Sequence, residues 1–485
     1  MPAGYLPSDA IDGVVTHLAA TYHTLTQLIT LQEPSIEQRT IHGIKIANGS
    51  SPSRRGVLLI GGVHARELVN PDLLVSFATK LLQAYTTGTG VAFGSVSYSK
   101  DVVALIIDNL DVFVVPLVNP DGRTFVQNPA GDPMWRKNRN PNPGQPCAGV
   151  DLNRNYDFLW SSGIGTSTSP CSDTFKGIGA FSEPETRNVR HLLDAQPNIM
   201  CLADIHSYSE LVLFPWGDDD NQSATPSMNF RNAAFDGQRG IASSGYGEYV
   251  AADDLAWFTA AANGVRDTIK QVRGRTYTAE QGMRLYPTSA TVHDWAYSRH
   301  FVTATQRKVM AFTIETAREF QPPYAEASQV IDEVSAGLMS LLLSALCAAE
   351  GVLSGTTAVA HLDDLRTLRD DVLMPSPAGR MLAGLFDTHG AEVLQAVGVG
   401  LVKRPAVAKL LNAWAKSASK HGGLGVAPVP GKVVDDALAL LSGLADGASP
   451  AFRRSLGRLQ RDAEEFRDRS VPDALAAITK RRRLG

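Results

Sequence analysis

Cysteine is scarce in this sequence, and the positions of the cysteines follow no metal-binding pattern. The four residues are Cys147, Cys171, Cys201 and Cys347, and no two of them form a Cys-x-x-Cys pair. So low a count excludes a disulfide-dense scaffold, and the spacing excludes a zinc site built from thiolates. Cysteine is therefore not expected to be a metal ligand here.

A strong charge of one sign is also missing. The net charge is -4 over 485 residues, and the dense basic run is confined to residues 480–483 at the end of the chain. Nucleic-acid binding usually requires a broad positive surface, and a short terminal run is typical of a solvated tail. The sequence therefore predicts no nucleic-acid partner.

Long apolar runs are absent as well. The longest apolar segment, residues 337–348, falls short of the roughly 20 residues that cross a bilayer and is predicted to be a core helix. The first 20 residues, MPAGYLPSDAIDGVVTHLAA, contain neither the basic nor the apolar region of a secretory signal. We expect no membrane span and, by default, a cytoplasmic location.

Apolar residues are nevertheless plentiful, at 44% of the chain, which is enough for a substantial core. Helical patterns such as Leu73–Leu82 and Val330–Ala348 alternate with short apolar runs. Continuous apolar strands favour an α/β fold with a mixed, largely parallel central sheet and helices on both faces. The predicted strands are VLLIGG (57–62), VFVVPLV (112–118), MCLADIH (200–206) and VMAFTIE (309–315).

The composition changes near residue 350, which predicts two domains, 1–350 and 351–485. In the first domain, long polar loops at 128–149 and 161–182 indicate that loops build a site. The second has helical spacing throughout and is predicted to be an all-helical module that could bind a protein partner. Its two apolar stripes are Leu362, Leu365, Leu368 and Val372, and then Phe452, Leu456, Leu459, Ala463 and Phe466.

A histidine and a glutamate three residues apart follow the first predicted strand, in GGVHARELVNPD (61–72). His64 and Glu67 thus lie at the carboxyl end of a buried strand, where open α/β sheets place their ligands. His206, which ends the MCLADIH strand, is the candidate third ligand, although a lone histidine at a strand end is more often structural. The same spacing in His389-Gly-Ala-Glu392 follows no strand and is predicted to lie on the surface.

Several further motifs occur in a fixed order, and with them the sequence resembles the zinc carboxypeptidases related to pancreatic carboxypeptidases A and B. The resemblance covers roughly residues 5–350. It implies one zinc ion per chain, held by His64, Glu67 and His206. The motifs are HARE (64–67), NPDG (119–122), MWRKNR (134–139), DLNRNYD (151–157), DIHSYS (204–209), YPTSATVHDWAY (286–297) and FTIE (312–315).

The resemblance also implies the catalytic groups. Glu315 matches the family's general base and proton shuttle, and its place at the end of a buried strand should raise its pKa. Arg139 matches the arginine that faces the developing oxyanion. Asp151 matches the carboxylate that orients His64 and sets its tautomer.

Substrate-binding residues follow from the same motifs. Asn153 and Arg154 resemble the device that recognises a free terminal carboxylate, which an arginine can bind through two hydrogen bonds. Tyr286 matches the mobile tyrosine that closes over the substrate. Tyr208 matches a residue of the neighbouring subsite, and Arg66 resembles an arginine that contacts the substrate.

His293 occupies the position that sets the preference for the substrate's last side chain. In the family, an apolar residue there accompanies apolar substrate ends, an aspartate basic ends and a basic residue acidic ends. Histidine matches none of these, and without an acidic partner in the pocket a strongly basic preference is not expected. Neutral, apolar or aromatic ends are favoured.

The resemblance further implies a disulfide between Cys147 and Cys171, on either side of DLNRNYD. A disulfide indicates a secreted or extracellular protein, in conflict with the missing signal. Either the sequence lacks its leader or the pair stays reduced inside a cell.

The motifs together predict a metallocarboxypeptidase that hydrolyses the C-terminal peptide bond of peptides and proteins by zinc-activated water, with Glu315 as general base. Two alternatives remain open. Related folds use the same ligands in amidases or deacylases that act on N-acyl amino acids. A catalytically silent binding protein is the third possibility.

Overall fold

The computed structural model describes residues 4–50, 54–241, 244–303 and 305–346. Further along it describes 364–365, 368–373, 375–382, 385, 389–390, 393, 403–421, 423–445 and 448–484. The chain divides into two compact units, Met1–Ala345 and Leu346–Gly485. The predicted domain boundary at residue 350 lies outside the described residues.

Strands in the first unit are short and separated by helices. They are β1 (Thr26–Thr30), β2 (His42–Ile46), β3 (Arg55–Gly61), β4 (Val91–Phe93), β5 (Val96–Tyr98), β6 (Leu110–Val115), β7 (Ile199–Ser207), β8 (Leu211–Phe214), β9 (Asn221–Gln222), β10 (Glu248–Tyr249), β11 (Thr278–Gln281) and β12 (Met310–Thr316). The helices are α1 (Ser8–Thr21), α2 (Val69–Thr87), α3 (Lys100–Asn109), α4 (Pro120–Gln127), α5 (Pro184–Ala195), α6 (Ala252–Arg273), α7 (Val292–Val302) and α8 (Tyr324–Ala345).

Eight of the strands in the described residues form one sheet, in the order β1-β2-β6-β3-β7-β12-β8-β11. The central strands β6, β3, β7 and β12 are parallel, as are β8 and β11. The pairs β1–β2, β2–β6 and β12–β8 are antiparallel. The predicted α/β fold with a mixed, largely parallel sheet is confirmed.

The central strands are apolar because both of their faces are covered. Every residue of β6 is buried, and β3, β7 and β12 have one half-buried residue each. Helix α8 packs against α2 and α6, while α7 packs against β7 and β12. Gly337 lets α8 approach α6 closely, since an added Cβ would lie 3.0 Å from Val265 and Ile269. Because helices cover both faces of the sheet, apolar and polar residues do not alternate along these strands.

Parallel pairing brings the strand ends to one edge of the sheet. In the register of β12 with β7, Glu315 lies beside His206 and Thr313 lies beside Asp204. In the register of β3 with β7, Gly61 lies beside Ile205, so the turn after β3 starts next to the end of β7. Side chains from three strands therefore meet at this edge.

The second unit is helical in its described residues. It contains a π-helical turn (Leu368–Leu373) and helices α9 (Arg404–Ala418), α10 (Gly431–Leu444), α11 (Pro450–Ala463) and α12 (Val471–Leu484). Leu368 of the first predicted stripe is in a buried cluster with Val433 and Leu475, and Leu365 packs against it. Leu362 lies outside the described residues. None of the described helices is long and apolar enough to cross a membrane.

The prediction that His389 lies on the surface is wrong. Its ring stacks on Phe452 with centroids 4.7 Å apart, and its Nε2 lies 3.0 Å from Ser455 Oγ. Phe452 belongs to the second predicted apolar stripe, so this histidine is part of a helical core. Glu392 lies outside the described residues.

A buried ion pair ties the start of the chain to helix α2. Arg123 donates to Asp72 Oδ1 at 2.7 Å, to the Leu6 carbonyl at 2.6 Å and to the Leu68 carbonyl at 3.0 Å. Asp72 Oδ2 accepts from the Leu6 amide at 3.1 Å. Both side chains are almost completely buried, so each charge needs the other to offset the cost of its removal from water.

We expect Asp72→Ala to lower the free energy of unfolding of this unit by about 3–5 kcal/mol, because it leaves Arg123 buried without a counter-charge. Asp332→Ala, which breaks a half-exposed pair with Lys80, should cost less than about 1 kcal/mol. Urea denaturation measures both. The double variant Asp72→Ala/Arg123→Met should recover much of the loss, and an Asp72→Ala cost no larger than the control would contradict this role.

Candidate active site

Two candidate ligands lie in the turn between β3 and α2. His64 Nδ1 lies 2.7 Å from Glu67 Oε1, and both side chains are buried. The turn begins at Gly62, which has φ +62° and where an added Cβ would lie 2.7 Å from Leu117. Glycine is therefore needed for the chain to reverse at the strand end and place the two side chains inward.

His206 joins them from the carboxyl end of β7. Its Nδ1 lies 3.0 Å from His64 Nδ1 and 3.1 Å from Glu67 Oε2. Ligand atoms of the three residues lie within 4.8 Å of one another. Tetrahedral zinc ligands with bonds of about 2.1 Å are separated by roughly 3.4 Å, so these atoms have the convergence that the ion needs.

The outer nitrogen of each histidine meets a buried carboxylate. His64 Nε2 lies 3.1 Å from Asp151 Oδ1, and His206 Nε2 lies 2.6 Å from Asp204 Oδ2. A hydrogen bond from Nε2–H to a carboxylate leaves Nδ1 without a proton and free to bind a metal. The other ring nitrogen of each histidine, Nδ1, faces Glu67, so a metal held here would be bound through Nδ1 of both imidazoles.

Sequence reasoning missed Asp204. The residue stands two positions before His206 on a strand, and residues i and i+2 of a strand lie on the same face. This Asp-x-His spacing was the signal that could have found it.

The buried charge around the two histidines is strongly negative. Glu67, Asp151 and Asp204 are all buried, and Arg136 pairs with Asp151 at 3.0 Å. Burial opposes ionisation of Glu67, yet the two histidines hold its pKa below the usual range. Burial likewise opposes ionisation of Asp151, but Arg136 and His64 hold its pKa well below normal. A divalent cation fits this site, and two imidazole nitrogens with one carboxylate are ligands that zinc accepts.

Glu315 lies beside His206 at the end of β12. Burial raises the pKa of Glu315 to about 8, and the nearby Glu67 adds to the rise while His206 and Arg136 oppose it. A carboxylate with a raised pKa is suited to taking up a proton and releasing it again.

The prediction that Arg139 faces the reaction centre requires correction. Its guanidinium stacks on the rings of Phe125, at 3.7 Å, and Trp135, at 4.8 Å, and lies 3.7 Å from Glu37. Arg136, three residues earlier in the same motif, instead donates its Nε to Asp151 and acts electrostatically on Glu315. In an irregular loop no periodicity tells which of two arginines points inward, so the sequence could not separate them.

A short 3₁₀ turn, Leu152–Arg154, carries the candidate carboxylate anchor. Asp151 caps the turn, since its Oδ1 accepts from the Asn153 amide at 3.0 Å. Arg154 is 2% exposed, donating to the Asn153 carbonyl at 2.6 Å, the Gly165 carbonyl at 3.1 Å and the Tyr286 hydroxyl at 3.1 Å. The same carboxylate therefore holds both His64 and the turn that presents Arg154.

Two exposed tyrosines flank these groups. Tyr286 is 46% exposed, and its ring lies 5.8 Å from the Arg154 guanidinium. Tyr208, 45% exposed, packs edge-on against Phe320. Arg66 stacks on the same Phe320 ring at 4.2 Å and donates to the Met134 carbonyl at 3.1 Å. Partly exposed aromatic rings beside arginines are available to a peptide chain.

His293 is buried at the start of α7. Its Nδ1 lies 2.9 Å from Thr313 Oγ1, and its Nε2 lies 3.4 Å from Asp294 Oδ1. Burial lowers the pKa of His293 to about 3, so the ring is neutral near pH 7. Asp294 is an acidic group beside this ring, and the preference for neutral, apolar or aromatic substrate ends stays a prediction.

Cys147 and Cys171 form a disulfide across 24 residues of sequence. The bridge closes the loop that carries Asp151, Asn153 and Arg154. It therefore restrains the segment that holds both His64 and the candidate anchor.

Comparisons with known proteins agree with this geometry. A model of the zinc carboxypeptidase family matches residues 11–337. Carboxypeptidase B of Helicoverpa zea is 35% identical over 225 residues, 45% of this chain and 48% of the relative. Mouse carboxypeptidase A4 is 31% identical over 214 residues, 44% of this chain and 47% of the relative. The chain thus spans about half the length of these curated relatives.

A solved structure shares the fold. Carboxypeptidase A from Helicoverpa armigera superposes with a TM-score of 0.55 at 23% identity, covering 70% of this chain and 73% of the other. At that identity the likeness concerns the fold alone.

We expect the full chain to bind one zinc ion, and His64→Ala and His206→Ala to weaken binding by more than the roughly 10- to 100-fold that loss of a supporting hydrogen bond costs. Competition with a chromophoric chelator measures the affinity. His191→Ala, a half-buried histidine beside Glu33, is the matched control and should bind zinc like the parent. Unchanged zinc affinity in His206→Ala would exclude it as a ligand.

Proposed function

Because the chain belongs to the zinc carboxypeptidase family, we propose that it is a metallocarboxypeptidase that removes the C-terminal residue from peptides and proteins. The observation that carries the proposal is the double role of Asp151. This carboxylate holds His64 and caps the turn that presents Arg154. A metal centre and a carboxylate anchor are thus fixed relative to each other, as an enzyme that cuts next to a free C-terminus requires.

Substrate binding would use the anchor first. Arg154 donates hydrogen bonds to two backbone carbonyls, and these bonds orient its guanidinium. Its Nη2 faces the Tyr286 hydroxyl. A terminal carboxylate offers two oxygens to such a donor. The exposed Tyr286 can then cover the bound residue and exclude water.

Zinc bound by His64, Glu67 and His206 would act as a Lewis acid on the scissile carbonyl and on the attacking water. Glu315 would take the proton from that water and deliver it to the leaving amine, a task for which its raised pKa is suited. Arg136 would stabilise the oxyanion, since it is anchored by Asp151 and acts electrostatically on Glu315.

His293 would lie at the end of the pocket for the last side chain. Its neutral ring supports a pocket that does not select acidic ends by charge. A peptide library varied at its last position tests this, and a marked preference for C-terminal aspartate or glutamate would contradict it.

The disulfide between Cys147 and Cys171 supports activity in an oxidising, extracellular compartment. Mass spectrometry of chain isolated without reductant tests this point. Two free thiols at these positions would contradict it.

Glu315→Gln should lose activity by about 10²- to 10⁴-fold, because the amide cannot take up the proton, while still binding zinc. The measurement pairs kcat on a blocked dipeptide with zinc affinity. Glu319→Gln, an exposed carboxylate four residues later, is the control and should resemble the parent. Near-parental turnover in Glu315→Gln would remove Glu315 from its assigned role.

Arg154→Ala should lower kcat/KM by the equivalent of about 1.5–3 kcal/mol, the scale of a hydrogen bond to a charged group. The parent chain should cleave a peptide with a free C-terminus and leave its C-terminally amidated twin intact. Equal cleavage of the two would refute carboxylate anchoring. Hydrolysis of N-acyl amino acids without cleavage of blocked dipeptides would instead point to a deacylase.

Arg136→Ala should reduce kcat by about 10²- to 10³-fold, the cost of losing one oxyanion donor. Arg139→Ala should leave kcat close to the parental value, because that guanidinium is stacked on Phe125 and Trp135. Steady-state kinetics of the two variants decide between the arginines. The reverse order would restore the sequence-based assignment of Arg139.

A further inference from the structure

Asp204 is a buried carboxylate with one short hydrogen bond. Its Oδ2 lies 2.6 Å from His206 Nε2, and both side chains are almost fully enclosed. The backbone is held in the middle of the sheet, with Asp204 paired to Ile60 of β3 and to Thr313 of β12. The backbone position of Asp204 is therefore set by the pairing of three strands.

The contact differs from the corresponding one at His64. Asp151 divides its charge between His64, Arg136 and the Asn153 amide. Asp204 Oδ1, by contrast, has no hydrogen-bond partner within the described part of the chain. Among the described residues, the hydrogen bond from His206 is therefore the main interaction that stabilises the negative charge of Asp204.

Such a bond has two physical effects on an imidazole. It keeps the proton on Nε2, which leaves the Nδ1 lone pair directed at His64 Nδ1 and Glu67 Oε2. It also draws positive charge toward Nε2 and so makes Nδ1 a stronger electron donor to a metal. A charged acceptor does this more strongly than a neutral one.

We propose that Asp204 is a positioning residue of the metal centre, which orients His206, fixes its tautomer and strengthens its bond to zinc. The inference rests on the proposed metal site and adds a second carboxylate–histidine pair to that of Asp151. Two such pairs, one from a loop and one from a central strand, would hold both imidazoles of the site.

The test compares Asp204→Ala and Asp204→Asn in the full chain with a matched control. Asp218→Asn is suitable because Asp218 is equally buried and bonds to neither ligand histidine. Zinc affinity is measured by chelator competition, without turnover. The visible absorption of the cobalt-substituted chain reports ligand geometry, which a merely structural role would not alter.

We expect zinc binding about 10- to 100-fold weaker in Asp204→Ala, the usual cost of losing the hydrogen bond behind a ligand histidine. Asp204→Asn should lose less, since an amide oxygen still accepts from Nε2–H but carries no charge. Asp218→Asn should match the parent. The cobalt spectrum should change in both Asp204 variants and stay constant in the control.

Zinc affinity of Asp204→Ala within about threefold of the parent, with an unchanged cobalt spectrum, would overturn the proposal. So would a change limited to KM for peptides with basic ends, which would place Asp204 in the side-chain pocket. If Asp204→Ala does not fold, the cobalt spectrum of Asp204→Asn decides, and a spectrum identical to the parent's overturns the proposal. A parent chain that binds zinc yet cleaves no peptide would refute the proposed function and leave this inference standing.

Discussion

The structure depends most on the balance of charge around two buried imidazoles. Glu67 lies between them, and Asp151 and Asp204 lie behind them, all out of contact with water. Carboxylates in such surroundings are costly unless positive charge compensates them. The arginine at Asp151 supplies part of that charge, and a divalent cation bound by His64, Glu67 and His206 would supply the rest. This requirement explains why so many acidic side chains are tolerated at the end of an apolar sheet.

The parallel sheet makes that arrangement possible. Parallel strands end at a common edge, so side chains that are far apart in sequence meet there without long-range loops having to place each one. His206 and Glu315 are neighbours because their strands pair in register. His64 is added by a turn that only a glycine at position 62 accommodates. The positions of His64, His206 and Glu315 are thus set by the strands of the central sheet.

The loop from 128 to 182 contributes the remaining parts. It supplies Arg136, Asp151 and Arg154, and a disulfide from Cys147 to Cys171 closes the part that carries Asp151 and Arg154. Asp151 contacts both His64 and the turn that carries Arg154, so it would couple the proposed metal ligand to the proposed substrate anchor. Tyr208 and Tyr286, by contrast, are nearly half exposed.

By itself the sequence determined the fold class and the candidate ligands. Continuous apolar runs predicted the parallel strands. His64, Glu67 and His206 lie at strand ends, and the resemblance carried by the ordered motifs implied them as ligands. Local sequence patterns were enough to predict these strands.

Only the tertiary structure decided which arginine faces the site and that His389 is buried. Those outcomes depend on loop conformation and on packing between distant segments. An irregular loop has no repeating geometry, so Arg136 and Arg139 are equivalent in sequence and become different only when Phe125, Trp135 and Asp151 are brought beside them.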